Sequence, residues 1–348
     1  MKNYLILALF LIVSCSPTIR NFDNYQKQFL PKSSFLPNKE ALENKAPKIV
    51  VFPLDENDNQ IAIQATLGST IANNIENIIA KNRLGEIVDR KAGQKLQKEI
   101  ALAEMNRSGI YKGPIIADYA VSGAISNAAF TSQYKDGYVY IDPRNGQFIT
   151  VPPKYYYTSN VVGNLKIYEL PSLSVVEAIE FSNEESRSEN VRQDGGLSVG
   201  AIQIGGKKQD GASRDDNLVR KSSGNAIENI EVNLKNFFAK KGYILEKRID
   251  GKKSIFKINL GSLDGIKQGD KFEVITLIES QNPITQENEI ERQLIAQGFV
   301  SDKIDLKSSW IIIENSEKSD KIRLGDIVKI KYEKKFFDKI KKFFFSLF

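Results

Sequence analysis

The sequence contains no histidine, one cysteine and one tryptophan among its 348 residues. The absence of histidine excludes the Ser-His-Asp and Cys-His nucleophile systems, histidine general bases and nearly all zinc and haem sites. Carboxylate or lysine chemistry stays open, but no group of such residues has the spacing of an active site. We therefore expect a protein that is not an enzyme and holds neither a cofactor nor a metal.

The single cysteine, Cys15, closes a short apolar amino-terminal segment. Lys2 supplies a positive start, residues 5–13 are apolar, and residues 12–15 have the form of a lipobox. A transmembrane helix needs about 20 apolar residues, so this run is too short to remain as a span. The pattern predicts a lipoprotein signal peptide over 1–14 and acylation at Cys15; an ordinary secretory signal with a chance cysteine is the alternative.

The residue that follows Cys15 bears on the membrane to which the protein is sorted. Ser16 stands where an aspartate is the usual signal for retention in the inner membrane of enteric bacteria. We therefore expect the protein at the cell outer membrane, lipid-anchored and facing the periplasm. Two or more acyl chains, at about 0.8 kcal/mol per buried CH₂, anchor a protein stably where one chain does not.

The excess positive charge lies almost entirely at the carboxyl end. The formal net charge is +6, and residues 331–348 hold six lysines against Glu333 and Asp338. The rest of the chain is close to neutral, whereas a nucleic-acid-binding protein carries a basic face on the fold itself. We expect no nucleic-acid partner.

Hydrophobic periodicity divides the remaining chain into segments. Residues 15–47 are polar and proline-rich, and are predicted to be a tether or N-terminal arm. Residues 48–242 follow the order β-α-β-α-β-β-β-α, typical of a layered α/β (α+β) domain. The predicted elements are strands at 48–54, 85–90, 117–125, 161–168 and 175–181, and helices at 70–81, 91–104 and 224–241.

The segment 243–332 has a different character and is predicted to be a small all-β domain. Gly269 and Gly325 each stand in a turn that leads into a strand, in a loose internal repeat that coincidence also explains. The predicted strands are 254–260, 271–277, 294–302, 310–314 and 327–332.

Several segments of the α/β region match one known family in order and spacing. The most specific local piece is Arg90 followed by Glu99, and the matching segments are 48–55, 68–72, 86–90, 96–99, 117–125 and 162–176. On these residues the sequence resembles the curli secretion-channel family, CsgG and its relatives, which are outer-membrane lipoproteins. Residues 250–332 are similar to the small C-terminal β domain of some relatives, including flagellar-ring proteins of the FlgT type.

The resemblance implies a homo-oligomeric ring at the outer membrane. In the channel members each subunit adds two β-hairpins to one shared barrel, and the pore exports unfolded subunits of a surface fibre. We therefore expect a ring-forming lipoprotein that supports secretion or assembly of a surface structure, with secreted fibre subunits or flagellar and envelope ring proteins as partners. A non-pore periplasmic scaffold ring of a flagellar or envelope machine is the alternative.

Two insertions, 130–160 and 182–222, decide between pore and scaffold. In the first, residues 142–146 form a turn between two arms, and the segment holds six of the thirteen tyrosines. Tyr138, Tyr140, Tyr155 and Tyr157 are candidate membrane-interface contacts, although a soluble aromatic hairpin that packs on a neighbour fits equally well. The second insertion is rich in charge and is expected to be a flexible or partner-ordered loop.

Residues 333–348 are predicted to form a basic amphipathic helix. Its apolar residues recur at helical spacing and its lysines occupy the remaining surface, as in helices that lie in a membrane interface. Docking of the phenylalanines on protein is the alternative. The candidate interface residues are Phe336, Phe337, Ile340, Phe343, Phe344, Leu347 and Phe348.

Overall fold

The protein, described by a computed structural model, combines helices and strands in two compact units. One unit contains residues up to 46, residues 82–84 and residues from 235 onward; the other contains residues 47–81 and 85–234. The structure describes residues 16–43, 45–91, 93–106, 110–111, 113–191, 193–194, 197–199, 202–204, 207–208, 211–284, 286–314 and 316–334.

The N-terminal residues form a packed arm and not a free tether. Ile19, Tyr25 and Leu30 are buried although they are scattered among polar residues. The Asn38 side chain accepts a hydrogen bond from the N–H of Ala41, which caps a short helix. The elements of the arm are a 3₁₀ helix (Phe22–Asn24), β1 (Gln26–Gln28) and α1 (Lys39–Leu42).

The α/β unit follows the arm, and its predicted helices and strands are largely confirmed. The predicted strand at 85–90 is reduced to two residues, and the last helix begins eight residues earlier than expected. In chain order the elements are β2 (Lys48–Val51), α2 (Gln60–Ala65), α3 (Leu67–Lys81), β3 (Glu86–Ile87), α4 (Gln94–Asn106), β4 (Tyr119–Lys135), β5 (Tyr138–Ile141), β6 (Phe148–Val151), β7 (Lys154–Glu169), β8 (Ser174–Asn190), β9 (Gln193–Asp194), β10 (Leu197–Val199), β11 (Ile202–Ile204), β12 (Lys207–Lys208) and α5 (Asp216–Phe237).

Five of these strands form one mixed sheet in the order β3-β2-β4-β7-β8. The pairs β3–β2 and β2–β4 are parallel, while β4–β7 and β7–β8 are antiparallel. On one face Val50, Phe52 and Ala120 pack with Leu96 and Ile100 of α4. Alternate residues of β2 are buried as well, so this part of the sheet is covered on both faces, as parallel strands require.

The helices of this unit bury the faces that their periodicity predicts. Ile71, Ile75 and Ile79 of α3 are fully buried. Leu102 of α4 is 57% exposed, because it lies two residues after Ile100 and outside the buried Leu96–Ile100 stripe. Arg90, which follows β3, binds Glu76 of α3 at 2.7 Å and the Asn73 side chain.

The second unit is built around a closed antiparallel sheet. Its strands follow the order β13-β14-β17-β16-β15-β18, and β18 pairs again with β13. The strand β13 was not predicted, and β1 of the arm pairs with the second half of β13. The strands are β13 (Lys241–Asp250), β14 (Lys253–Ile258), β15 (Lys271–Gln281), β16 (Asn288–Ile304), β17 (Ser309–Ile313) and β18 (Ile327–Lys331).

The two turns of the internal repeat have the same backbone conformation. Gly269 and Gly325 have φ angles of +84° and +86°, which other residues adopt only with strain. The aspartate after each glycine is turned inward and accepts a hydrogen bond from the backbone N–H three residues before it: Lys267 to Asp270 at 2.8 Å, and Arg323 to Asp326 at 2.7 Å. The strands that follow, β15 and β18, pair with each other.

Side chains of the closed sheet alternate between its interior and the arm. Phe256 and Ile311 point into a core that also contains Phe272 and Val328. Their neighbours Ile255 and Trp310 lie on the outer face, where Ile19 and Tyr25 of the arm cover them. The arm therefore completes a second apolar cluster on the outside of this sheet.

No helix among the described residues has the length and apolar character needed to cross a membrane.

Candidate assembly surface

Strands β4, β7 and β8 are unusually long. They contain 17, 16 and 17 residues, which at about 3.3 Å per residue gives a length of about 55 Å, against a usual 3–10 residues per strand. We call their distal parts, residues 129–135, 154–160 and 184–190, the sheet extension. The remote ends of β4 and β7 lead into a separate two-stranded sheet, the β5–β6 hairpin.

The first predicted insertion is a hairpin, in two stages. The turn expected at 142–146 is confirmed, since the N–H of Gly146 donates to the carbonyl of Asp142 at 2.8 Å. Pro152 and Pro153 lie between β6 and β7, outside both strands, so they remove no hydrogen bond from a ladder. The two prolines therefore do not interrupt an arm of the hairpin.

The second insertion was predicted to be a flexible loop, and this is wrong for both of its ends. Residues 182–190 belong to β8 and residues 216–222 to α5. Glu185 of β8 binds Lys221 of this helix at 3.0 Å, and it accepts hydrogen bonds from Asn225 of the helix and from Asn183 of its own strand. Burial opposes ionisation of Glu185, but these bonds outweigh it and lower the pKa.

One face of the sheet extension is aromatic. The Tyr157 ring stacks on Phe130 with centroids 5.8 Å apart and on Tyr155 at 6.2 Å, and Tyr134 lies 5.3 Å from Tyr155. The guanidinium of Arg187 covers the Tyr157 ring at 4.5 Å. Tyr157 is only 2% exposed, which contradicts its prediction as a membrane-interface contact.

The polar groups around Tyr157 close this face. The Tyr157 hydroxyl accepts a hydrogen bond from the N–H of Ala212 at 3.0 Å. Arg187 binds the carboxylate of Asp215 at 2.7 Å, next to the start of α5. Burial opposes ionisation of Asp215, but hydrogen bonds from the Leu218 N–H and from Arg187 together lower its pKa. Tyr155, half-buried, lies at the margin of this closed cluster.

The opposite face of the sheet extension is polar. Thr131, Thr158 and Ser186 lie side by side in one row across the three strands, and Gln133, Tyr156 and Ser188 form the next row. Lys135 lies 4.6 Å above the Tyr156 ring. This face lacks the continuous apolar band that a lipid-facing strand surface needs.

The β5–β6 hairpin is apolar on both of its faces. Register places Tyr138 and Tyr140 opposite Val151 and Ile149 on one face. Val139, Ile141 and Phe148 belong to the other face, and Phe148 is 75% exposed. Tyr138 and Tyr140 are exposed, so these two predicted contact residues remain accessible. Because an isolated two-stranded hairpin is marginally stable in water, such a surface favours contact with a partner.

The outer edge of β8 has no neighbouring strand in the described part of the chain, and side chains of α5 bind two of its carbonyls: Ser222 donates to Asn183, and Asn229 to Ser182. Among the described residues, β8 pairs with β7 alone, from Ser174 to Asn190. Over residues 129–133, β4 likewise pairs with β7 alone within the described chain. The sheet extension therefore has two different edges, each with backbone groups that another strand can bind.

Three of the sequence predictions lie outside the described residues: the signal peptide over 1–14, acylation at Cys15, and the helix with its interface residues from Phe336 to Phe348.

Two features of this surface were missed by sequence reasoning. Nothing in the sequence around Tyr157 indicates that it is buried. The alternating charged residues of β8 are typical of an edge strand, but they indicate one only when the length of the strand is known.

No family model matches the sequence, and no curated protein is similar enough to count as a relative. Among solved structures, the PelC dodecamer from Paraburkholderia phytofirmans is similar at 12% sequence identity, over 60% of this chain and 96% of the PelC chain, with a TM-score of 0.25.

Proposed function

We propose that the protein is an outer-membrane lipoprotein, of the kind found in the curli secretion-channel family, that assembles into a ring of identical copies. In this role it supports the secretion or assembly of a surface structure. The observation that carries the proposal is the open edge of β8, 17 residues long. Membrane attachment rests on the predicted acylation of Cys15.

The geometry of the edges supports a ring. A long open edge is a template for another strand, and natural proteins rarely leave one uncovered. The second open edge, on β4, differs in sequence from that of β8. A contact between two different surfaces of the same chain is heterologous, and repeated heterologous contacts close into a ring when the rotation between copies permits.

The chemistry of the sheet extension favours the scaffold form of this ring over the export channel. A strand that crosses a bilayer needs about 9–11 residues with an apolar face toward lipid. The apolar strands β5 and β6 have four residues each. The longer strands carry Thr131, Thr158 and Ser186 on one face and a closed aromatic cluster on the other, so neither face suits lipid.

Disulfide trapping tests the ring directly. With Cys15 acylated the chain has no other thiol, so cysteines placed at Thr131 and Ser186 report on the two edges alone. We expect the double variant T131C/S186C to give a ladder of covalent dimers, trimers and larger species when oxidised in membranes. Within one protomer β7 lies between these two positions in the sheet, so they are too far apart for an internal disulfide.

The single variants are the matched controls. Each one alone can give at most a dimer, whereas a heterologous contact requires both thiols for longer species. Monomers only, or dimers from the single variants with no ladder from the double variant, would reject the ring. Planar-bilayer conductance of the purified oligomer then distinguishes its two forms: conductance supports a channel, and a stable ring without conductance supports the scaffold.

A further inference from the structure

Both ends of the described chain lie at one end of the closed sheet. The side chain of Gln268 donates a hydrogen bond to the carbonyl of Pro17 at 2.9 Å, and the N–H of Ile19 donates to Asp302 at 2.8 Å. At the other terminus, Glu333 binds Lys271, the first residue of β15, at 3.1 Å. We call this end, formed by residues 259–270, 304–308 and 332–334, the anchor end.

The position of Pro17 limits how far an acyl chain on Cys15 lies from the closed sheet. An extended chain spans at most about 3.6 Å per residue, so Cys15 lies within roughly 7 Å of Pro17. With the arm docked, an acyl group two residues before Pro17 would enter the bilayer close to Gln268. The residues 15–47 therefore do not hold this unit at a distance from the membrane.

The exposed side chains of the anchor end suit an anionic bilayer surface. Leu263 and Leu306 are 55% and 67% exposed, and the N–H of Leu263 donates to the carbonyl of Leu306 at 3.0 Å, so the two leucines lie on adjoining turns. Lys267 and Lys307, on the same two loops, are also exposed, and so is Lys303, one residue before the end of β16. Leucines among lysines fit the boundary between acyl chains and negatively charged headgroups.

The opposite end of the closed sheet offers a comparison. It also exposes an aliphatic residue, Ile284, and two lysines, Lys252 and Lys253. Neither end of the described chain reaches it, since its turns join β13 to β14 and β15 to β16. Composition alone therefore does not distinguish the two ends; the position of the chain termini does.

We propose that the anchor end lies on the surface of an anionic membrane, with Leu263 and Leu306 at the depth of the headgroups and the three lysines against acidic lipids. The acyl chains of Cys15 and the contacts of this surface then act as two membrane signals on one compact unit, and two signals give stable attachment where one is marginal. The inference rests on the proposed lipoprotein identity, because the acylated terminus is what distinguishes the anchor end from the opposite end.

Depth-dependent fluorescence quenching tests the proposal on the full acylated protein. A cysteine is placed at Leu306 or, as the matched control, at Ile284, and is labelled with an environment-sensitive fluorophore in vesicles that contain phosphatidylglycerol. We expect a blue-shifted emission at residue 306 that a nitroxide on the lipid headgroup quenches, and an unshifted, unquenched emission at residue 284. Replacing Lys267, Lys303 and Lys307 by glutamate should reduce the quenching at residue 306.

Equal emission at the two positions, or quenching at residue 284 alone, would overturn the proposal. Failure of the lipoprotein identity gives a different result, because an unmodified Cys15 in the protein without added cysteines would itself take the label. The two labelled positions are then compared in a Cys15→Ser background, where quenching at residue 306 alone still supports the surface.

Discussion

The carboxylate of Asp302 accepts a hydrogen bond from the backbone N–H of Ile19 at 2.8 Å, across 283 positions of the sequence. This bond joins the arm to the end of β16. A hydrogen bond to a charged acceptor contributes about 1.5–3 kcal/mol when it is buried, and this one is partly exposed.

We expect Asp302→Ala to lower the free energy of unfolding by about 1–2 kcal/mol, since the N–H of Ile19 loses its acceptor. Hydrogen exchange of residues 16–30 should be faster in this variant than in the native protein, while exchange of the closed sheet changes less. Asp305→Ala is the control, because Asp305 lies on the neighbouring exposed turn and its side chain binds the Ser308 hydroxyl. Unchanged exchange in the arm of Asp302→Ala would show that the bond does not hold it.

Trp310, the single tryptophan of the chain, reports on docking of the arm. The Phe22 ring meets it edge-on with centroids 5.1 Å apart, and the Arg248 guanidinium lies 4.9 Å from its centroid. We expect Phe22→Ala to red-shift the emission of Trp310 and to cost about 2 kcal/mol, since an aromatic pair and part of a cation–π contact are lost. Phe29→Ala, in the same arm but 84% exposed, should leave the emission unchanged.

The buried Asp326 makes stability depend on pH. Burial raises the pKa of this carboxyl from its ordinary value of 3.8, against the opposing hydrogen bonds from the Arg323 N–H and the Thr276 hydroxyl. The folded state therefore holds the proton more tightly than the unfolded state. Stability relative to Asp326→Asn should fall as pH rises above 3.8 and level off above the folded pKa, by about 1.4 kcal/mol for each pH unit that separates the folded from the unfolded pKa.

Urea unfolding between about pH 3 and pH 7 measures this difference. Asp320 provides a control, because its effect on the pH dependence of stability has the opposite sign. Its hydrogen bond with Lys247 lowers its pKa, so the stability that it contributes is present at neutral pH and is lost as pH falls. A pH-independent difference between the native protein and Asp326→Asn would contradict the raised pKa.

The hydroxyl of Tyr157 should contribute more to stability than the hydroxyl of Tyr156. Tyr157→Phe removes the acceptor for the N–H of Ala212 and leaves that group without its bond, at a cost of about 1 kcal/mol. Hydrogen exchange at Ala212 should accelerate. Tyr156→Phe, on the polar and exposed face, should change neither stability nor exchange, and an equal effect from both variants would refute the role of the bond.

Local patterns predicted the parts of the fold that local physics determines. The buried stripe of Ile71, Ile75 and Ile79 follows from helical spacing, because such a stripe has to be covered. The positive φ angles of Gly269 and Gly325 follow from turns that only glycine enters without strain. Both features depend on residues close together in the sequence and not on distant segments.

Contacts between distant segments could not be predicted in this way. The three residues of β1 are polar, so nothing in them indicates a strand, and they become one by pairing with β13. Tyr157 has the character of an interfacial tyrosine in the sequence because the groups that cover it, Arg187 and Ala212, come 30 and 55 residues later. The packing of the arm on Trp310 could not be predicted for the same reason, because the two segments are even further apart in the sequence.

The closure of the antiparallel sheet has a consequence for biogenesis. Lys241, at the start of β13, pairs with Lys329, close to the last strand residue of the unit. A polypeptide that stops before β18 leaves one edge of β13 and one edge of β15 unpaired. Closure of this sheet therefore waits until residues 327–331 have been synthesised, and a chain truncated before them exposes two unpaired strand edges to proteases.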